Sequence, residues 1–179
     1  MGLRSKVRWN PTDSLTLTLS NSFIDEDHTF GIAFRLKEPG PSVGHWDIDS
    51  ESDVFQNERE IYVGSLQLDW DLRGYEFSSI TAYQDVTRTF GFDVDAFSPT
   101  TLVDAILYTD EQFMSQEFQL SNTGNETIDW TLGAYYFGAD AFLRRDLIGL
   151  AFGSPTSVLQ TNGSQDTTSI AVYGQATYR

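Results

Sequence analysis

Apolar and polar residues alternate with period two through most of this chain, and helical periodicity is nearly absent. Seven segments carry the alternation: residues 3–9, 15–24, 60–71, 75–90, 112–121, 128–142 and 167–179. In the sixth, Ile128, Trp130, Leu132, Ala134 and Tyr136 share one parity, and Asp129, Thr131, Gly133 and Tyr135 the other. The third sets Tyr62, Gly64, Leu66, Leu68 and Trp70 against Ser65, Gln67, Asp69 and Asp71. The fifth sets Met114, Gln116, Phe118 and Leu120 against Ser115, Glu117, Gln119 and Ser121. The seventh opposes Ile170, Val172, Gly174, Ala176 and Tyr178 to Tyr173, Gln175 and Thr177, and the first opposes Leu3, Val7 and Trp9 to Arg4, Lys6 and Arg8. Successive side chains of a strand point to opposite faces, so each segment predicts a strand with one apolar and one polar face. The fourth alternates poorly, and its faces are not assignable from the sequence.

Three connections are short and rich in turn-forming residues: Asn10-Pro11-Thr12-Asp13-Ser14, Leu72-Arg73-Gly74 and Asn122-Thr123-Gly124-Asn125. Between them the reading predicts long connections at about 25–59, 91–111 and 143–166. Short and long then alternate. A soluble sandwich gives no reason for that rule, whereas a membrane barrel has tight periplasmic turns at one end and long extracellular loops at the other. Trp9 precedes the first short turn, Trp70 nearly abuts the second and Trp130 follows the third, each on its strand's apolar set. That placement predicts an aromatic girdle at one membrane interface, where an indole ring is apolar and its N–H wants the wet headgroup layer. The alternative is three tryptophans packed inside a sandwich.

Composition changes this picture in one direction. Lys and Arg number 11 against 26 Asp and Glu, a formal charge of −15, which argues against a nucleic-acid partner. Apolar residues make up only 40% while aromatics reach 14%, a combination suited to apolar groups that face something other than their own core. No apolar run is long enough for a membrane-crossing helix. The segment Met1-Gly2-Leu3-Arg4-Ser5-Lys6 has no apolar stretch of the signal-peptide kind, and no cysteine is present for disulfide or thiolate chemistry.

Four segments resemble the barrel of TonB-dependent outer-membrane receptors: Ser78-Ser79-Ile80-Thr81-Ala82-Tyr83-Gln84-Asp85, Ser115-Gln116-Glu117-Phe118-Gln119-Leu120-Ser121, Asp129-Trp130-Thr131-Leu132-Gly133-Ala134-Tyr135-Tyr136-Phe137 and Ala171-Val172-Tyr173-Gly174-Gln175-Ala176-Thr177-Tyr178. Their order and spacing are similar to the middle strands of that barrel. The resemblance implies an all-β, antiparallel up-and-down meander of about seven strands, part of a 22-stranded transmembrane β-barrel. Residues 1–179 would then be a partial barrel, an internal fragment lacking the N-terminal plug and the remaining strands. The odd strand number and the end of the chain in mid-strand at Tyr178-Arg179 agree with that expectation. The implied function is import of a scarce ligand, such as a siderophore-bound iron, cobalamin or a glycan. Its energy comes from a TonB-type coupling protein acting on the missing plug. Outer-membrane lipid and lipopolysaccharide are the implied surroundings. Two other readings stay open: a passive porin-like barrel, and a soluble secreted adhesin or carbohydrate-binding β-domain.

No nucleophile elbow, phosphate-binding glycine loop or paired-histidine metal motif is present, and only His28 and His45 offer an imidazole, so neither an enzyme nor a cofactor is expected. Residues 25–60 hold ten acids against Arg35, Lys37 and Arg59, a net charge of −7. Within them Asp47, Asp49, Glu51 and Asp53 alternate as candidate oxygen ligands for a divalent cation, without the EF-hand spacing; a solvated acidic loop is the plainer reading. Asn125-Glu126-Thr127 matches a glycosylation sequon but reads as turn chemistry, and Arg144-Arg145 reads as a pair at the membrane interface. In a barrel, Ser65, Gln67, Asp69, Glu117, Gln119, Asp129, Thr131 and Tyr135 would face the lumen. The topology makes a prediction: protease added to intact cells cleaves within 25–59 and spares Asn122–Gly124. Cleavage at 25–59 only after the outer membrane is permeabilised would invert it.

Overall fold

A computed structural model describes residues 1–28, 56–94, 103–123, 127–151 and 154–178. Among them lie seven strands and no helix: β1 (Gly2–Thr12), β2 (Leu15–His28), β3 (Gln56–Asp71), β4 (Tyr75–Asp93), β5 (Val103–Asn122), β6 (Ile128–Ala151) and β7 (Ser154–Tyr178). They form one antiparallel meander in the order β1-β2-β3-β4-β5-β6-β7. The register from β2 to β6 contains no slip, so cross-strand partners assign every side chain to one of two faces. Bulges interrupt the ladder only in the β1–β2 pair near Thr12 and in the β6–β7 pair beside Val158.

The short turns close one end of the sheet. Leu72 N–H donates to the Tyr75 carbonyl at 2.9 Å, and Arg73 and Gly74 between them both have positive φ, 53° and 105°. That is the backbone twist a two-residue hairpin needs, and glycine adopts it without a Cβ clash. The Asp71 carboxylate accepts the Arg73 N–H at 3.0 Å and holds the non-glycine member in place. At the next turn the Asn122 side chain joins β5 to β6, donating to the Ile128 carbonyl at 2.7 Å and accepting the Trp130 N–H at 2.6 Å. The Thr123 N–H reaches across to the Gly74 carbonyl at 2.9 Å, tying neighbouring turns together.

At the other end the strands outrun their sequence signal. Residues 143–166, expected as a long connection, are strand: β6 continues to Ala151, β7 begins at Ser154, and only residues 152–153 join them. The connection expected at 91–111 shrinks likewise, because β4 runs to Asp93 and β5 begins at Val103. The strict alternation of short and long connections therefore fails at the third far-end link. Backbone ladder bonds need no apolar periodicity, so pairing continues where the side-chain pattern has faded. Of the connection expected at 25–59, residues 25–28 and 56–59 belong to β2 and β3, and 29–55 lie outside the described residues.

Among the described residues no strand pairs its backbone with any but its sequence neighbours, and no second layer covers either face. Among the described residues the only buried apolar one that is not glycine is Ala105, 2% exposed, with Asp104 beside it at 3%. Trp9 is 61% exposed, Leu132 55% and Val172 83%. Among the described residues the tryptophans are therefore not enclosed between two sheets.

Where the sheet is thin, side chains brace it across strands. Gly133 is buried because the Tyr173 ring, directly opposite, lies over it; a Cβ at Gly133 would meet Tyr173 Cζ at 2.1 Å. The hydroxyl reaches across β6 to β5 and donates to Glu117 Oε1. Gly133→Ala is expected to destabilise the sheet by about 1–3 kcal/mol through displacement of this ring. Denaturant unfolding in detergent should show most of that cost vanishing in a Tyr173→Ala background. Equal penalties in the two backgrounds would contradict the brace.

Candidate functional site

The register separates the two faces of the sheet by chemistry. One face carries Leu3, Val7 and Trp9 on β1, Leu15, Leu17 and Leu19 on β2, and Leu66, Leu68 and Trp70 on β3. It continues through Phe77, Phe118, Leu120, Leu132 and Ala134 to Val172 and Ile170. The pairing also places the unassigned fourth strand: Phe77, Ser79, Thr81, Tyr83 and Asp85 belong to this face.

Both limits of this apolar band are marked. Toward the turns stand Trp9, Trp70 and Trp130, with Tyr75 packed on Trp130 at 6.1 Å between ring centres. Toward the far end, strands β2 to β7 each bring up a first carboxylate on this face: Asp25, Glu60, Asp85, Asp110, Asp140 and Asp166. A belt of aromatic residues, Phe23, Tyr62, Tyr83 and Tyr136, precedes these acids. The interval is at least ten positions on every one of these strands. Leu15 to Asp25, Trp70 to Glu60, Tyr75 to Asp85, Leu120 to Asp110, Trp130 to Asp140 and Ala176 to Asp166 each span ten positions without a charged side chain on this face. Ten residues extend about 33 Å along a strand.

The band is oblique to the ladder. Cross-strand partners of Trp9 run through Leu17, Leu68, Ser79 and Phe118 to Ala134, yet Trp130 lies four residues nearer the turns than Ala134. A drop of four residues over the five steps from β1 to β6 corresponds to a slope of about 30° for ordinary rise and strand spacing.

Polar groups inside the band satisfy one another. Gln116 Nε2 donates to Ser79 Oγ at 3.0 Å and to the Glu117 carbonyl at 3.1 Å, while the Thr81 hydroxyl donates to Gln116 Oε1. Asn21 Oδ1 accepts the Tyr62 hydroxyl at 3.0 Å. Pairing of this kind removes most of the penalty for a polar group away from water.

The other face, over the same stretch, is polar and carries the charges. Ser65, Gln67, Asp69, Glu117, Gln119, Asp129, Thr131 and Tyr135 all lie on it, as their parity implies. Asp69 gathers Gln67 Nε2 at 3.1 and 3.0 Å and the Ser78 hydroxyl at 2.9 Å. Glu117 accepts from Gln119 Nε2 at 2.9 Å and from Tyr173. Arg4, Lys6 and Arg8 stand exposed on the same face of β1. Phe113 and Phe137, stacked at 6.3 Å, line a shallow depression of about 300 Å³ together with Val63, Ala82 and Tyr135.

No family model matches the chain, and no curated protein matches it. Its own geometry has to carry the functional reading. The cation candidates Asp47, Asp49, Glu51 and Asp53 lie outside the described residues, as does His45. Among the described residues no three acidic or imidazole groups converge on a possible metal. Arg144 and Arg145, expected as a unit, part to opposite faces. Arg144 packs 5.8 Å over the Tyr108 ring and pairs with Asp146 at 3.1 Å, whereas Arg145 shares the other face with Leu107. Burial, and the Asp110 carboxylate that its hydroxyl approaches at 3.4 Å, push Tyr108 above the ordinary phenol range. Sequence reasoning missed the carboxylate limit and the aromatic belt before it. Extending each strand's apolar parity past its last apolar residue would have found both.

Proposed function

We propose that this chain is a lipid-spanning wall of an outer-membrane β-barrel, part of a TonB-dependent receptor that imports a scarce ligand with energy coupled through its plug. The observation that carries the membrane reading is the charge-free band, at least ten residues deep on six adjacent strands, with aromatic residues toward both limits and, among the described residues, no second layer over it. In water each half-exposed leucine there forgoes on the order of 1 kcal/mol of burial. In lipid the same face is solvated. A strand length of about 33 Å tilted by about 40° spans about 25 Å, the height of a barrel's apolar belt. The oblique run of the tryptophans supports such a tilt, since closing a barrel requires sheared strands. The polar face then lines a hydrated interior, and the far ends of β4 to β7 project beyond the membrane.

The resemblance of four strand segments to TonB-dependent receptors supports energised import over a passive pore. The 22-stranded size and the coupling partner rest on that resemblance. Uptake that stops when a protonophore collapses the inner-membrane gradient would favour the receptor; uptake indifferent to it would favour the porin.

The membrane reading makes paired substitutions unequal. In the complete polypeptide Leu132→Arg should impair outer-membrane insertion, by roughly 2–4 kcal/mol for a site near the midplane. Thr131→Arg, one residue away on the polar face, should be far milder. Heat-modifiable mobility of the two variants in outer-membrane fractions measures the difference, and equal impairment would refute the face assignment.

A further inference from the structure

Beyond the carboxylate level the polar face changes character. Arg88 holds its guanidinium carbon 4.9 Å over the Phe90 ring and donates Nε–H to Asn57 Oδ1 at 3.3 Å. The Phe90 and Phe92 rings lie 5.4 Å apart. Pairing carries the row of Phe90 through Leu107 to Arg145, so two arginines bracket an aromatic and apolar strip across β4, β5 and β6. Arg59 stands directly opposite Arg88, and Glu26 pairs with Arg59. Neither Arg88 nor Arg145 has a carboxylate partner among the described residues.

Two cations set opposite each other cost a sheet stability. Their presence is conspicuous in a chain with 11 basic and 26 acidic residues. Net charge differs between the faces. At this level the outer side carries Asp25, Asp27, Glu58, Glu60, Asp110 and the Arg144–Asp146 pair, while Arg59, paired with Glu26, lies on the inner side with Arg88 and Arg145. An anion is repelled from the outside and drawn to the inside.

We propose that Arg88, Phe90, Phe92 and Arg145 form a binding surface for an organic anion with a flat apolar body. The planar guanidinium groups match a carboxylate, sulfonate or phosphate with two parallel hydrogen bonds, and the rings and Leu107 accept the body. The inference rests on the reading that this face lines the barrel interior.

The test uses the complete polypeptide in detergent with 2-naphthalenesulfonate as probe and uncharged 2-naphthol as its companion, by titration calorimetry. Saturable sulfonate binding is expected. Joint Arg88→Gln and Arg145→Gln substitution should weaken it about tenfold or more while leaving 2-naphthol unchanged. Phe90→Ala with Phe92→Ala should weaken both probes, and Arg144→Gln, on the outer face, neither. Unaltered heat-modifiable mobility establishes that each variant is folded. Absence of saturable sulfonate binding, or equal effects of the inner and outer arginine changes, would overturn the proposal. So would binding that appears only after an upstream segment is removed, because the surface would then belong to that segment. Fractionation separates the two readings. A polypeptide in the outer membrane that ignores the sulfonate loses this proposal alone, and one that binds it while soluble without detergent loses the barrel.

Discussion

Among the described residues a single sheet with no second layer leaves its apolar side chains open to their surroundings. Every other feature of this molecule is arranged around that constraint. Strands β2 to β7 place leucine, valine and aromatic groups on one side over at least ten positions each, and carboxylates on that side begin only beyond them. The few polar groups inside the band turn to each other, as Gln116, Ser79 and Thr81 do. Backbone groups pair along every ladder between neighbouring strands, and among the described residues one edge each of β1 and β7 is left open.

The two faces then solve different problems with the same strands. The polar face holds its carboxylates in local networks, Asp69 with Gln67 and Ser78, Glu117 with Gln119 and Tyr173. Tyr173 lying across Gly133 also supplies packing that a layerless sheet otherwise lacks. Past the band the apolar face takes most of the acids, and Arg59, Arg88 and Arg145 stand on the polar face.

Much of this was legible in the sequence because a strand's period is two and its faces are independent. The parity of Leu66, Leu68 and Trp70 against Gln67 and Asp69 was enough to assign β3, and the same held for β1, β5, β6 and the near half of β7. The fourth strand was opaque because its outward face mixes Ser79 and Thr81 with Phe77 and Tyr83, and only the partner Gln116 explains those hydroxyls. The far halves of β6 and β7 read as loop because neither face there is uniformly apolar, while backbone pairing continues regardless. The opposed Arg59 and Arg88 are 29 positions apart in sequence and meet only through the β3–β4 register.

Spin labels placed in turn at positions 130 to 136 of β6, in the complete polypeptide reconstituted into lipid, test lipid contact most directly. Collision with oxygen, which partitions into hydrocarbon, should peak at Leu132, Ala134 and Tyr136. Collision with a water-soluble nickel chelate should peak at Thr131 and Tyr135. Labels at both parities that are equally open to the chelate, or equally shielded from both reagents, would contradict a lipid-facing sheet.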